Sequence, residues 1–170
     1  ERFGGTVSTW LGMWAPIDTA GPVSSWLELF ADRAVSPKPD PAFDLDVAQT
    51  ALVPLPAPAP AATMFDRRTT LQAALRLRDS EFALIASYLE IGGQGGGAPG
   101  TPLTIANVSA MRRYAELART SGVPLALAIE THRLLCATEH PLSDPPGEGD
   151  PFADPQRMVA FLNVLGALRA

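Results

Sequence analysis

The sequence predicts an all-α fold, an irregular helical bundle of about six or seven helices with long Pro/Gly-rich loops. Three observations carry this. Apolar residues recur at helical spacing in successive windows. No stretch alternates Val, Ile or Thr over five or more residues with turn signals on both sides, as a half-buried strand requires. Proline and glycine gather between the periodic windows, at 36–41, 54–60, 92–100 and 141–149.

Residues 6–14 (TVSTWLGMW) form a short apolar segment that reads as helical and stops before Pro16, because the residue preceding a proline is pushed out of the α region. Residues 17–22 (IDTAGP) read as a turn. Val23, Trp26, Leu27 and Phe30 then fall at i, i+3, i+4 and i+7, which predicts a brief amphipathic helix over 23–30. The 36–41 run (SPKPDP) is a proline-stiffened connection that cannot be helical. Phe43 and Leu45 alternate with acids and suit a short docked extended segment, and 54–60 (PLPAPAP) reads as a polyproline-like spacer. No flanking basic residue turns that spacer into a proline-motif ligand.

From Met64 the pattern becomes helical. Leu71, Ala74 and Leu75 mark a helix over 66–76, and Asp79 or Ser80 suits the cap of another over 81–91, striped by Phe82, Ile85, Ala86 and Leu89. Residues 92–100 (GGQGGGAPG) read as a flexible loop. Thr104 suits the cap of a helix over 105–120, with Val108, Met111, Ala115 and Ala118 on one side and Gly122 just past its end. Pro124 opens a helix over 125–137 that is apolar nearly all round and is expected to be central. After an acidic Pro/Gly loop at 141–149, Asp154 and Pro155 start the last helix as N-cap and first-turn proline. Met158, Phe161, Leu162, Leu165 and Leu168 give it one apolar face. That helix expects a partner earlier in the chain and another beyond it.

Composition narrows the function classes. The 170 residues carry 13 Lys and Arg against 18 Asp and Glu, a formal charge of −5, which argues against nucleic acid as a partner. Hydrophobic content of 46% is that of a globular chain, and no apolar run reaches the ~18 residues that span a bilayer. A single cysteine excludes an intrachain disulfide framework. The chain opens on Glu1 with no signal-type segment, which fits an excised fragment.

Each chemical constellation meets a plainer reading. His132 and Cys136 lie at i and i+4 with Glu130 nearby, a spacing that can pair metal ligands or a thiol with a base. With His140 the only other histidine and no second Cys/His pair, buried packing is the reading adopted. Gly92-Gly93-Gln94 lacks the Lys-Ser/Thr of a phosphate loop and the basic surroundings of an RNA-gripping loop, so it reads as a connector. Residues 144–150 (DPPGEGD) lack the ligand alternation of a calcium loop. The carboxylate pairs Asp44/Asp46 and Glu148/Asp150 have no spacing that implies acid–base work. Trp10, Trp14 and Trp26 sit at helical spacings where packing is the default and a sugar-stacking or partner surface the sharper alternative. No catalytic, cofactor-binding or metal residue is assigned.

Three ordered blocks resemble the helical shell of the A component of insecticidal toxin complexes, the Tc toxins. The first runs over 10–46: W-L-G-M-W-A-P-I-D-T-A-G, S-W-L-E-L-F and S-P-K-P-D-P-A-F-D-L-D. The second covers 71–89 and 103–136, with Leu71–Leu75, then a helix of acidic start from Asp79 to Leu89. It goes on to Leu-Thr-x-x-Asn-x-Ser at 103–109, Arg113-Tyr114 and the apolar 125–135 run. The third is Asp-Pro-Phe-Ala-x-Pro at 150–155 before an amphipathic helix. The blocks cover about the whole chain. The proline spacer at 54–60 and the glycine loop at 92–100 depart from the family pattern as insertions.

The resemblance implies a segment of a secreted or cell-surface-associated, pore-forming and translocating toxin subunit that has no catalysis of its own. The full-length protein would form a bell-shaped homopentamer whose shell encloses a channel released by a pH change. Its partners would be cocoon-forming toxin-complex proteins and, through other regions, a host-cell membrane or receptor. The chain divides in this reading into a helical lobe (1–46), a Pro-rich linker (47–63) and a bundle (64–170) that continues beyond the fragment. The competing readings are a free-standing helical interaction module with a groove along 125–137, an enzyme using His132 and Cys136, and a pH sensor at His132 or His140.

Overall fold

The computed structural model describes residues 13–31, 39–57, 61–91, 100–135 and 150–169. It is all-α. Among the described residues six α-helices run in order: α1 Ser25–Phe30, α2 Arg68–Leu75, α3 Asp79–Tyr88, α4 Ile105–Ser121, α5 Leu125–Leu135 and α6 Pro155–Arg169. A 3-10 turn, Pro41–Phe43, lies between α1 and α2. Extended pairing is limited, among these residues, to the antiparallel bridges Leu45–Leu52 and Thr63–Pro102. The chain forms two compact units, residues 16–109 and residues 1–15 with 110–170, and the division falls within α4.

The 16–109 unit is built around aromatic side chains. Trp26 is fully buried and its indole N–H donates to the Phe43 carbonyl at 2.9 Å. Phe30 stacks on Phe43 at 4.2 Å between centroids, and Trp26 tilts against Phe30 at 4.6 Å. Ser24 caps α1, its hydroxyl oxygen accepting from Leu27 N–H at 3.4 Å. That cap moves the helix start past Val23, which the 23–30 reading had placed on the buried stripe and which is 82% exposed. Asp40 caps the 3-10 turn by accepting from Ala42 N–H at 3.0 Å. Phe43 is therefore held in a turn, and only Leu45, not both residues, enters an extended pairing.

The helices of this unit are ended and tied by particular residues. Arg76 adopts the left-handed region (φ 51°), which ends α2, and Leu77 N–H returns to the Gln72 carbonyl at 2.9 Å. α3 begins at Asp79 itself, so neither Asp79 nor Ser80 is its cap. The Arg78 N–H instead donates to the Glu81 carboxylate at 2.7 Å. Asp79 is bound back to α2, accepting from Gln72 Nε2 at 3.0 Å and pairing with Arg68. Leu71, Phe82, Ile85 and Leu89 are fully buried, each worth about 1.5–3 kcal/mol of gross apolar transfer. At the start of α4, Thr104 accepts from Asn107 N–H at 3.1 Å, the expected cap, and Ser109 Oγ accepts from Ile17 N–H at 2.9 Å.

In the second unit Met111, Tyr114 and Leu117 of α4, Ile129 of α5, and Met158, Phe161 and Leu165 of α6 form the core. α4 closes on Gly122 at φ +67°, the left-handed position where a side chain is strained. α5 packs on α6 but is not buried all round. Leu125, Ala128, Ile129 and His132 face inward, while Leu134 and Leu135 of the last turn are 78% and 52% exposed. α6 is capped as expected, Asp154 Oδ1 accepting from Gln156 and Arg157 N–H at 2.8 and 2.9 Å. Leu168 leaves the expected stripe, because it sits at the edge of the face and is 54% exposed.

Candidate functional site

Among the described residues, several polar and ionisable side chains meet in the second unit. α4 supplies Arg113 and Tyr114, α5 supplies His132, the turn before α6 supplies Asp150 and Phe152, and α6 supplies Phe161. The turn is made locally. Asp150 Oδ1 accepts from Phe152 N–H at 2.7 Å and its carbonyl from Ala153 N–H at 3.0 Å, so Phe152 is thrown inward. His132, 2% exposed, stacks on Phe152 and meets Tyr114 and Phe161 edge-on.

His132 Nε2 stands 3.3 Å from the Tyr114 hydroxyl and 3.5 Å from Asp150 Oδ1. It serves Tyr114 as acceptor in one tautomer and Asp150 as a long-range donor in the other. Arg113 lies over the Phe152 ring at 5.9 Å, and its Nη2 reaches the Trp14 carbonyl at 3.5 Å. Burial pushes the Arg113 guanidinium below its ordinary value, and the Asp150 charge offsets part of that push. The Arg113 Nε and the Trp14 Nε1 are buried without a hydrogen-bond partner.

Among the described residues this arrangement is a packed polar seam. The imidazole is enclosed by rings, and a general base needs its reacting proton within hydrogen-bond reach. A separate cleft of about 360 Å³ lies in the 16–109 unit, lined by Leu52, Val53, Leu55, Ala62 and Leu103 among others. Among the described residues its lining side chains are all apolar and offer no acid, base or nucleophile.

Of the residues singled out from sequence, His132 is buried as the packing reading has it, whereas Glu130 is turned to solvent, 3.9 Å from Arg133. Cys136, His140, Asp144, Glu148, Trp10 and the Gly92-Gly93-Gln94 tripeptide lie outside the described residues. Asp46 is a turn-former, accepting from Thr50 and Ala51 N–H at 2.8 and 3.1 Å, and Asp44 is exposed. Trp26 is a core residue and Trp14 is half-buried. Among the described residues no three His, Cys, Asp or Glu side chains gather as metal ligands would, and no helix is long and apolar enough to cross a membrane. The partnership of His132 with Tyr114 and Asp150 is what the sequence reading missed; the Asp-Pro-Phe turn is its one visible signal.

No protein-family model, curated protein or solved structure matches the chain.

Proposed function

We propose that this chain is a structural segment of the helical shell of a Tc-type toxin A subunit, without catalysis of its own. The observation that carries the reading is what the residues of the resembling blocks do. Trp26 and Phe43, from the Leu-Phe helix and the Asp-Pro-Ala-Phe segment, bond and pack on one another. Asp40 of the same segment and Thr104 of the Leu-Thr-x-x-Asn-x-Ser run cap their turns, Asn107 donates to the Pro102 carbonyl at 2.9 Å, and Ser109 pins Ile17. Asp150 and Phe152 of the Asp-Pro-Phe segment build the seam around His132. Motif residues used to close turns and fill cores suit a scaffold; motif residues of a catalytic site would instead converge on an opening.

In this reading the parent protein is a secreted homopentamer that carries a channel, binds cocoon-forming partners and meets the host membrane or receptor through other regions. The test is negative-stain electron microscopy of the full-length parent at neutral pH. Five-fold bell-shaped particles are expected. Small monomeric particles would overturn the reading and leave a free-standing helical interaction module, which the uncharged outer side of α6 favours.

A further inference from the structure

The sequence sets a proline directly after an aspartate at 40–41, 144–145, 150–151 and 154–155. The pair at 144–145 lies outside the described residues; the other three form turns of one kind. In each, the carboxylate Oδ1 accepts from the N–H two residues on: Ala42 at 3.0 Å, Phe152 at 2.7 Å and Gln156 at 2.8 Å. That bond folds the side chain back along the Asp-Pro peptide it precedes. Each aspartate carbonyl also accepts a backbone N–H, from Phe43, Ala153 and Met158 at 3.0, 3.0 and 3.2 Å.

The turns differ at the second carboxylate oxygen. Asp40 Oδ2 pairs with Arg67 Nε at 3.1 Å, and Asp154 Oδ2 with Arg157 Nε at 3.0 Å. Among the described residues no hydrogen bond or ion pair engages Asp150 Oδ2. The Asp150 side chain is also the least exposed of the three, 14% against 21% for Asp40 and 41% for Asp154. Around it stand His132 of α5, 3.5 Å from Oδ1, and Arg113 of α4, which acts on it through charge. Tyr114 of α4 meets the same imidazole nitrogen, and α6 turns Phe161 to the seam.

We infer that the Asp150–Pro151 peptide bond is a self-cleavage site, at which the Asp150 carboxyl attacks its own carbonyl carbon. Nucleophile and target belong to one residue, so no second reactant has to be brought up. The protonated carboxyl adds through Oδ2 to that carbon, and the Ala153 N–H already on the carbonyl oxygen stabilises the charge that develops there. The bond to the Pro151 nitrogen then breaks. Its electron pair stays on the nitrogen, which takes the proton that the carboxyl gives up, and residues 151–170 leave with an N-terminal proline. Residue 150 remains as a cyclic anhydride, which water opens to the two carboxyl groups of a C-terminal aspartate. At Asp40 and Asp154 the arginine holds the attacking oxygen away. The reaction is a single turnover of the chain on itself. It goes beyond the toxin-shell reading and does not depend on it.

Intact-mass spectrometry of the full chain, held for days at about pH 5 with circular dichroism to confirm the fold, tests the inference. The expected products are residues 1–150 and 151–170, formed at least about tenfold faster than cleavage after Asp40 or Asp154. In concentrated urea, where the turns are gone, that preference disappears. Asp150→Asn abolishes the products, while Arg157→Gln, which frees Asp154 Oδ2, raises cleavage after Asp154. A folded chain that stays intact at Asp150, even cleavage over the three bonds, or a preference that survives urea each overturns the proposal. So does an Arg157→Gln chain in which cleavage after Asp154 does not rise.

Discussion

Asp150 does two things with one carboxylate. It makes the turn that throws Phe152 inward, and its charge partly offsets the burial of Arg113. Asp150→Ala removes both and is expected to cost about 1–3 kcal/mol in urea unfolding, the range for stranding a buried donor. Asp150→Asn keeps an oxygen for Phe152 N–H but not the charge, so its loss should be clearly smaller. Equal losses would mean that the charge, not the turn, is what Asp150 contributes. The same residue marks the limit of reading a site from sequence. Periodicity compares neighbours on one helix, so it sets His132 beside Cys136 and Glu130. The side chains that His132 meets, Tyr114 and Asp150, each lie 18 positions away and are brought to it only by the packing of α4, α5 and the turn before α6. The burial of His132 was legible because an isolated pair is an incomplete ligand set; its partners were not.

Elements were legible where local chemistry and tertiary packing agree. α6 is the clearest case, with its cap, first-turn proline and inward Met158, Phe161, Leu162 and Leu165 all readable from sequence. Asp154→Ala should destabilise the chain by about 1 kcal/mol, the usual worth of an N-cap, measured as a lower urea midpoint at unchanged slope. A changed slope would point instead to fraying of the helix as a separate step. Elements were less legible where a side-chain hydrogen bond, not apolar spacing, sets the boundary. Val23 has the right spacing for α1, yet Ser24 takes the cap and leaves it outside. Phe43 has the alternation of an extended segment, yet Asp40 and the Trp26 indole hold it in a 3-10 turn. The 125–135 run is apolar by composition, which hides that its last turn faces outward. Hydropathy gives which residues prefer burial, but the number of neighbours that arrive is a property of the whole fold.

At the scale of the whole molecule, the charge pattern makes acid the natural way to open this chain. Asp46 and Asp79 are both held below the ordinary carboxylate value, Asp46 chiefly by the backbone N–H groups of Ala51 and Thr50, Asp79 chiefly by the Gln72 amide and then Arg68. A carboxylate with a depressed folded-state pKa lends stability that is fully present above its unfolded value of 3.8 and lost as pH falls through the lower folded one. As acid removes negative charge, the 13 Lys and Arg and 2 His repel one another, which favours expansion. Cooperative loss of helical circular dichroism is therefore expected only below about pH 4, with added salt moving the midpoint to lower pH by screening the repulsion. Asp46→Asn separates the two causes. It should lower the melting temperature at neutral pH, where the wild-type charge is satisfied by the Thr50 and Ala51 amides, and the gap to wild type should close as pH falls below the folded value. A gap that stays constant with pH would assign the contribution of Asp46 to the geometry of its turn alone, and acid opening would then rest on repulsion and Asp79.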